Sequence, residues 1–423
     1  MLWKTRMTDF AKASLFQPEI QDKPFDYYAW LREEAPIYQM PDMGFFIVSR
    51  YDLVLQALKQ PNLFSSKLGF AANRDVPPEV TEIYEKEGFG EQVNTLVSND
   101  PPDHSRYRNL VNKAFTAARV RKMEPYIQTI ADELVDAMLD KGAGDAEIVG
   151  EFAVPLPMMV IADQLGVPRE HMDQFKEWSD TAVEPLGMML SKERHIHCAR
   201  KQVEFQHYFA DRLEERRQEP RDDMLTDLVQ ARFEGEIPLD TRELLSIVGQ
   251  LLVAGNETTT NALGAGTYWL INNPDQVSLC RDDMSRIDNV AEEILRIDAP
   301  VQGLFRQTTA DTTLGGVEIP EGSVVNLRYG SANRDEERFE ESDQFNVLRK
   351  NASAHLSFGA GIHHCIGAQL ARREIQCGMR ALIGKLDNLR FAEGKNTFEH
   401  HPSFVLRGLK ALHVNFERGD MHR

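Results

Sequence analysis

One cysteine of the chain stands in a loop rich in glycine and histidine, directly before a helical pattern. The stretch HLSFGAGIHHCIG runs from His355 to Gly367 and contains Cys365. A helix that begins behind the cysteine directs unpaired N–H groups and partial positive charge at the sulfur, and both favour a thiolate. Glycines let the backbone approach a ligand closely or adopt positive φ. A sulfur surrounded by backbone amides suits an axial ligand of haem iron.

Three other interpretations of this cysteine are open at this point. A lone cysteine is commonly a small core residue. A zinc site could form from His363, His364, Cys365 and Cys377, although their spacing matches no usual zinc motif. A cysteine–histidine nucleophile is the third, but the sequence indicates no partner that would orient the histidine.

A second stretch of interest lies in the helix pattern over residues 241–272. The pattern becomes apolar nearly all round and predicts a buried central helix. Within it, Gly255 costs about 1 kcal/mol relative to alanine, and three β-branched threonines follow Glu257. The Thr258 hydroxyl can bond back to the carbonyl of Ala254. Such local violations are typical of functional positions, although a tolerated polar patch would look the same.

The elements that must position these residues are mostly helical. Residues 105–140 and 170–218 predict long helices, and AQLARREIQCGMRALIGKL predicts another behind the cysteine loop. Phe45–Ser49 predicts a strand, and TTADTTLGGVEIPEGSVVNLRYG predicts a hairpin that turns at residues 320–322. We therefore predict a mainly α protein with small β-sheets.

Composition argues against several classes of function. The chain has 48 Lys and Arg against 66 Asp and Glu, a net charge of −18, which disfavours nucleic acid and anionic membrane surfaces as partners. Its four cysteines are too few for a disulfide framework. The opening MLWKTRMTDF lacks the apolar segment of a signal peptide, and no run approaches about 18 apolar residues. We expect a cytoplasmic protein without a membrane span.

Together the motifs resemble the cytochrome P450 family. The pattern FGxGxHxCxG, from Phe358 to Gly367, is similar to the haem-binding loop of that family, and the resemblance covers roughly residues 20–415. It implies a single haem-thiolate domain over residues 1–423, with a small β-rich region near the N-terminus and a large helical region. In the cytochrome P450 fold, haem b lies between the central long helix and the cysteine-loop helix.

The resemblance also implies roles for individual residues. Cys365 would be the axial ligand of the haem iron. Four side chains would bind the haem propionates, namely His104, Arg108, Arg306 and His363, and arginine suits carboxylates through bidentate contacts.

Two further groups complete the resemblance. Glu257 and Thr258 match the acid–alcohol pair of the family, which delivers protons for cleavage of the O–O bond of dioxygen. Many members have aspartate at the first position, and glutamate supplies the same carboxylate. Glu293, Arg296 and Arg349 would form a buried structural cluster that braces the cysteine loop.

The implied reaction is monooxygenation, in which one oxygen atom of O₂ enters an apolar organic substrate by hydroxylation or epoxidation. Terpenoids, steroids and aromatic compounds are favoured. By resemblance, the pocket walls come from residues 65–97, about 175–195, Ile247–Asn256 and Pro300–Leu304. Two alternatives are a haem-thiolate peroxygenase that uses hydrogen peroxide and a non-catalytic haem sensor.

Electrons would have to come from a separate protein, because no flavin or iron–sulfur motif is present. We expect a ferredoxin with an NAD(P)H-driven ferredoxin reductase. The ferredoxin would dock on the cysteine side through basic charge from Arg106, Lys113, Arg372 and Arg373.

Overall fold

Helices dominate the structure, a computed structural model that describes residues 10–11, 13–68, 76–90, 93–188, 190–233, 235 and 237–419. The α-helices of these residues are α1 (Pro18–Asp22), α2 (Phe25–Glu34), α3 (Tyr51–Leu58), α4 (Pro78–Glu87), α5 (Asp103–Val111), α6 (Ala117–Asp140), α7 (Pro155–Gln164), α8 (Met172–Val183), α9 (Lys192–Gln218), α10 (Met224–Val229), α11 (Thr241–Asn272), α12 (Pro274–Asp282), α13 (Ile287–Ile297), α14 (Tyr329–Ala332) and α15 (Ala368–Lys385). Single turns of 3₁₀ or π helix lie at Asn112–Phe115, Val149–Ala153, Arg169–His171, Glu184–Gly187, Met284–Arg286, Ala352–Ala354 and Gly361–His363.

The strands are short and form small sheets at the edges of the helical mass. They are β1 (Ile37–Gln39), β2 (Phe46–Val48), β3 (Phe64–Ser65), β4 (Asp145–Glu147), β5 (Leu304–Thr308), β6 (Thr312–Leu314), β7 (Val317–Ile319), β8 (Val324–Leu327), β9 (Leu386–Phe391) and β10 (His413–Arg418). In the described residues, one sheet has the order β1-β2-β8-β5-β3, a second β4-β10-β9, and a third pairs β6 with β7. The β2–β8 pair is parallel, with Phe46 opposite Val325, and the other pairs are antiparallel.

Both long helices predicted from the sequence are interrupted. The first ends at Val111, and a new helix starts at Ala117 because the Thr116 hydroxyl accepts a hydrogen bond from the Arg119 N–H and caps it. The second is interrupted in the same way before α9, where Ser191 is the cap. The two predictions were therefore right in type and wrong in continuity.

The predicted hairpin exists, but its turn was misplaced. The tight turn lies at Gly315 and Gly316, both at positive φ, and joins β6 to β7. Residues 320–322 instead connect β7 to β8, which belong to different sheets.

The central helix α11 spans the predicted range. Asp240 and Glu243 form a capping box at its start, and its second half is buried almost completely. Ala262 and Leu263 of α11 share one hydrophobic core with Ile294 of α13 and Ile375 of α15. This core fixes the central helix against the helix that follows the cysteine loop. The predicted class, mainly α with small sheets, is confirmed.

The described helices include none that is both long and apolar enough to span a membrane.

Candidate active site

The cysteine loop folds as a tight backbone structure against the end of α3. The Cys365 N–H donates to the Phe358 carbonyl at 2.9 Å, which closes the loop. Gly361 has φ +69°, and a Cβ at that position would lie 2.7 Å from the carbonyl oxygen of Leu58. Only glycine fits there, because a side chain would meet rigid backbone at a strained φ.

The sulfur of Cys365 accepts backbone hydrogen bonds from Gly367 and Ala368 at the start of α15. Burial nevertheless raises the pKa of the Cys365 thiol, and the amides and the Arg108 charge only partly oppose this. The start of α15 therefore favours the thiolate, as predicted, whereas burial of the sulfur opposes it. A metal cation at the sulfur supplies the positive charge that is missing.

A cavity separates the cysteine loop from the central helix. Cys365 lies on one wall, Ala254 and Thr258 of α11 lie on the wall formed by the central helix, and α15 contributes Glu374. The predicted wall segments contribute Leu96, Val97, Leu186, residues 250–251 and 253–255, Pro300, Val301 and Leu304. The remaining parts of the predicted walls at residues 69–75, 91–92 and 189 lie outside the described residues.

Four basic or imidazole side chains meet at one end of this cavity. His104, Arg108, Arg306 and His363 all line it, and the rings of His104 and His363 are 4.2 Å apart between centroids. Burial, together with the charges of Arg306, His104 and Arg108, lowers the pKa of His363 to about 3, so this ring is neutral at physiological pH.

These side chains are short of partners. Among the described residues, the buried Nε2 of His363 has no hydrogen-bond partner. Arg306 donates to the Phe305 carbonyl at 2.7 Å, and within the same part of the chain neither Arg306 nor Arg108 is ion-paired with a carboxylate. Buried donors in this state favour a ligand that brings carboxylates. A haem, which carries two propionates and an iron for the Cys365 sulfur, therefore fits the residues present.

The three threonines of the central helix make three different contacts. The Thr258 hydroxyl donates to the Ala254 carbonyl at 2.7 Å, the hydrogen bond that its position allowed. The Thr259 hydroxyl donates to Glu374 at 3.1 Å, and the Thr260 hydroxyl donates to the Ala153 carbonyl at 3.1 Å. Only the first two residues line the cavity.

Glu257 does not line the cavity, although Thr258 does. Its carboxylate accepts a hydrogen bond from Asn261 at 3.3 Å, and burial raises its pKa. Adjacent residues on a helix point about 100° apart, so the two side chains of the pair face different surroundings.

Glu374 is a carboxyl group of the cavity that sequence reasoning missed. It is 2% exposed, and burial raises its pKa to about 8 despite the hydrogen bond from Thr259. Glu374 lies on the apolar face of α15 between Ala371 and Ile375. A carboxylate on a predicted core face was the signal that could have revealed it.

The raised pKa of Glu374 makes stability depend on pH. From about pH 4.5 to about pH 8 the folded protein keeps a proton that the unfolded chain has released, so the free energy of unfolding falls as pH rises. Glu374→Gln removes the titrating carboxyl group and therefore this decrease in the free energy of unfolding. We expect the variant to gain about 1.4 kcal/mol on the parent protein for each pH unit across that interval, measured by urea unfolding. A constant offset between the two proteins would contradict the assignment, and the exposed Glu318→Gln serves as the control.

Glu293, Arg296 and Arg349 form one buried ion-paired cluster. Glu293 accepts hydrogen bonds from Arg296 at 2.7 and 2.8 Å and from Arg349 at 3.0 Å, and its side chain is fully buried. The Asn346 N–H adds a further bond at 3.0 Å.

This cluster is connected to the cysteine loop by hydrogen bonds. Arg296 donates to the Asn333 carbonyl at 3.0 Å. The Asn333 side chain then accepts from the Leu356 N–H at 2.6 Å and donates to the Ser357 hydroxyl at 2.7 Å. The start of the loop is thereby fixed to α13 through a continuous polar network.

A second carboxylate of α13, Glu292, was also missed. Burial would raise its pKa, but hydrogen bonds from His355 and Arg372 lower it to about 2. Arg372 lies 2.5 Å from Glu292 and 4.6 Å from the ring centre of Phe358, which connects the helix after the loop to its start. Neither contact can be read from local spacing.

The basic side chains expected at the docking face are largely neutralised within the chain. Arg106 is paired with Glu243 at 2.6 Å, Arg372 with Glu292, and Arg373 with Glu124 at 3.6 Å. The Lys113 ammonium donates to a backbone carbonyl at 2.8 Å. The three arginines therefore contribute less net charge than the sequence indicates.

A zinc site at the cysteine loop finds no support in the geometry. Within the described ranges, no group of three or more His, Cys, Asp or Glu side chains could hold a metal ion. Cys377 is fully buried in the hydrophobic core shared by α6, α11, α13 and α15.

The comparisons with known proteins agree with this geometry. The family described as Cytochrome P450 matches residues 12–413. The 6-deoxyerythronolide B hydroxylase of Saccharopolyspora erythraea is 36% identical over 92% of this chain and 95% of its own. The vitamin D(3) 25-hydroxylase of Pseudonocardia autotrophica is 35% identical over 95% of both chains.

The fold comparison leads to the same family. The structure of cytochrome P450 CYP109Q5 from Chondromyces apiculatus matches with a TM-score of 0.85 and 36% identity, covering 97% of this chain and 99% of that one. With a cysteine loop facing a central helix across a cavity that fits haem, the chain belongs to the cytochrome P450 family of haem-dependent monooxygenases.

Proposed function

We propose that the protein inserts one oxygen atom of O₂ into an apolar organic substrate, with haem b held in the cavity between Cys365 and the central helix. The observation that carries this proposal is the cavity itself, with a sulfur on one wall, a hydroxyl on another and carboxylate-binding side chains at one end. When bound, haem supplies the activation of O₂ and its transfer to carbon.

Different residues of the chain would hold the iron and the propionates of the haem. The Cys365 sulfur would hold the haem iron, and a thiolate ligand would favour cleavage of the O–O bond. The propionates would be bound by His104, Arg108, Arg306 and His363. Because these donors lack carboxylate partners of their own, two propionates satisfy them without displacing existing ion pairs.

Thr258 is the residue that would accept a hydrogen bond in the cavity and so position a proton-carrying group such as water. Its hydroxyl donates to the Ala254 carbonyl and lines the cavity, so the Oγ1 atom can accept a hydrogen bond from a proton-carrying group there. Glu257 follows as the carboxylate that supplies protons from outside the cavity wall. Glu374, protonated up to about pH 8, is a second buried proton donor beside Thr259.

Replacement of Thr258 tests the proposed use of O₂. We expect Thr258→Ala to lower product formation by about a hundredfold, because groups that position a proton transfer contribute about a hundredfold or more to such steps. Consumption of NAD(P)H continues and the electrons appear as hydrogen peroxide. Thr258→Ser, which keeps the hydroxyl, is expected to restore most of the product.

The same variants separate the monooxygenase from a peroxygenase. Turnover driven by added hydrogen peroxide needs no proton relay for O₂, so Thr258→Ala is expected to leave it nearly unchanged. Equal loss in both assays, or no loss in either, would refute the role given to Thr258.

The substrate and electron partners are proposed at the level of class. The two hydroxylases compared above are named for 6-deoxyerythronolide B and for vitamin D(3). We propose a substrate of similar character, with steroids and terpenoids favoured over small aromatics. Electrons come from a ferredoxin and an NAD(P)H-driven reductase in the cytoplasm, and the whole chain acts as one domain.

A further inference from the structure

A second cavity adjoins the one described above. The two share Leu186, Gln250 and Val253, so they meet beside the middle of α11. We refer to the cavity at the cysteine as the inner cavity and to the second as the outer cavity. Beyond the junction the inner cavity is lined by apolar residues such as Leu251 and Ala254, whereas the outer cavity carries several amide and hydroxyl side chains.

Some of these polar groups are used to build the wall of the outer cavity. The Ser246 hydroxyl donates to the Val93 carbonyl at 2.7 Å. The Gln250 side chain accepts from the Val97 N–H at 3.2 Å and donates to the Thr95 hydroxyl at 2.6 Å. These bonds hold the segment at 93–97 against the central helix, so the wall is fixed by the chain itself.

The side-chain amides of Gln202 and Gln206 do not take part in these wall contacts. Gln202 and Gln206 lie four residues apart on α9 and therefore share a face. The Gln206 oxygen accepts from the Phe89 N–H at 3.4 Å, which leaves its NH₂ group as a donor. In the described part of the chain, neither that NH₂ group nor the amide of Gln202 has a hydrogen-bond partner, although Gln206 is only 5% exposed.

Gly249 lies on the opposite helix in packing contact with the Gln202 amide. A Cβ at this position would lie 3.5 Å from the Gln202 nitrogen and 3.6 Å from Phe205, both ordinary contacts. A side chain larger than alanine at this position would crowd the Gln202 amide at the wall of the outer cavity. Among the described residues, the outer cavity thus offers the half-buried amide of Gln202 and the NH₂ group of Gln206 as hydrogen-bond donors to a molecule that enters it.

We propose that the substrate spans both cavities and carries a hydrogen-bond-accepting oxygen at the end remote from the oxidised carbon. The apolar body lies in the inner cavity near Ala254 and Thr258, and a carbonyl, ether or hydroxyl oxygen accepts from Gln202 and Gln206 in the outer cavity. This inference rests on the proposed function, because it takes the inner cavity as the place of oxidation. It narrows the substrate to an elongated amphipathic molecule.

The test compares three ligands by equilibrium dialysis against the haem-loaded protein. Decyl methyl ketone has an acceptor oxygen, decyltrimethylammonium has a similar chain without one, and ethylbenzene is small enough for the inner cavity alone. The variant is Gln202→Leu/Gln206→Leu. Gln218→Leu, on the same helix but outside both cavities, is the matched control.

We expect the double variant to bind the ketone about tenfold more weakly, as the loss of two hydrogen bonds implies, with the other two ligands unchanged. Unchanged or tighter ketone binding would overturn the inference, and so would a parallel loss for all three ligands. The reduced carbon-monoxide spectrum of the same samples tests Cys365 separately. If the double variant loses ketone binding selectively but the spectrum shows no thiolate ligation, the proposed function is wrong. The outer cavity would still be a binding site.

Discussion

Glu293→Ala is expected to prevent recovery of folded, haem-loaded protein. The substitution leaves the guanidinium groups of Arg296 and Arg349 buried without their carboxylate, and such a loss typically costs about 3–5 kcal/mol. Because domains are stable by only about 5–15 kcal/mol, this removes much of the total. The network through Asn333 to Ser357 loses its anchor as well, so the cysteine loop is affected directly.

The measurement is the yield of soluble protein together with its ratio of haem to polypeptide. Asp288→Ala is the control, since it removes an exposed carboxylate from the first turn of the same helix at a cost of about 0.3–1 kcal/mol. Soluble Glu293→Ala protein with a full haem content would show that the cluster does not brace the loop.

Cys365→Ala is expected to abolish oxidation of substrate while the chain still folds. The sulfur lies on the cavity wall, and no other described thiol lines the cavity. The small side chain fits the space of the cysteine, so the helical core should persist. Activity and the spectrum of bound haem are measured on the same preparation.

The matched control is Cys280→Ala, which makes the same change at a fully buried cysteine outside the cavity. We expect it to reduce stability slightly and to keep both activity and spectrum. If Cys365→Ala behaved like this control, the cysteine would be a core residue, the interpretation that the sequence left open.

The cysteine loop was predictable because its chemistry is local. FGxGxHxCxG places glycines where φ is positive at Gly359 and Gly361, and it places the sulfur at the start of a helix. The long amphipathic segments likewise predicted the helices that carry Thr258 and Glu293. Their interruptions at Thr116 and Ser191 were signalled by capping residues that the periodicity obscured.

What the sequence did not reveal depends on contacts between distant segments. Glu374 meets Thr259, and Glu292 meets His355 and Arg372, across separations that no spacing rule covers. The sequence indicated uncompensated basic charge at Arg106, Arg372 and Arg373. In the structure each of these arginines is paired with a carboxylate of the same chain. Periodicity assigns a residue to a face of its helix, but the partner on that face depends on tertiary packing.

The most direct test of thiolate ligation by Cys365 is the optical spectrum of the reduced carbon-monoxide complex of the unmodified, haem-loaded protein. A bond between the Cys365 sulfur and the iron predicts the spectrum of a thiolate-ligated haem, and Cys365→Ala should lose it. The spectrum of a histidine-ligated haem in the unmodified protein would contradict the account.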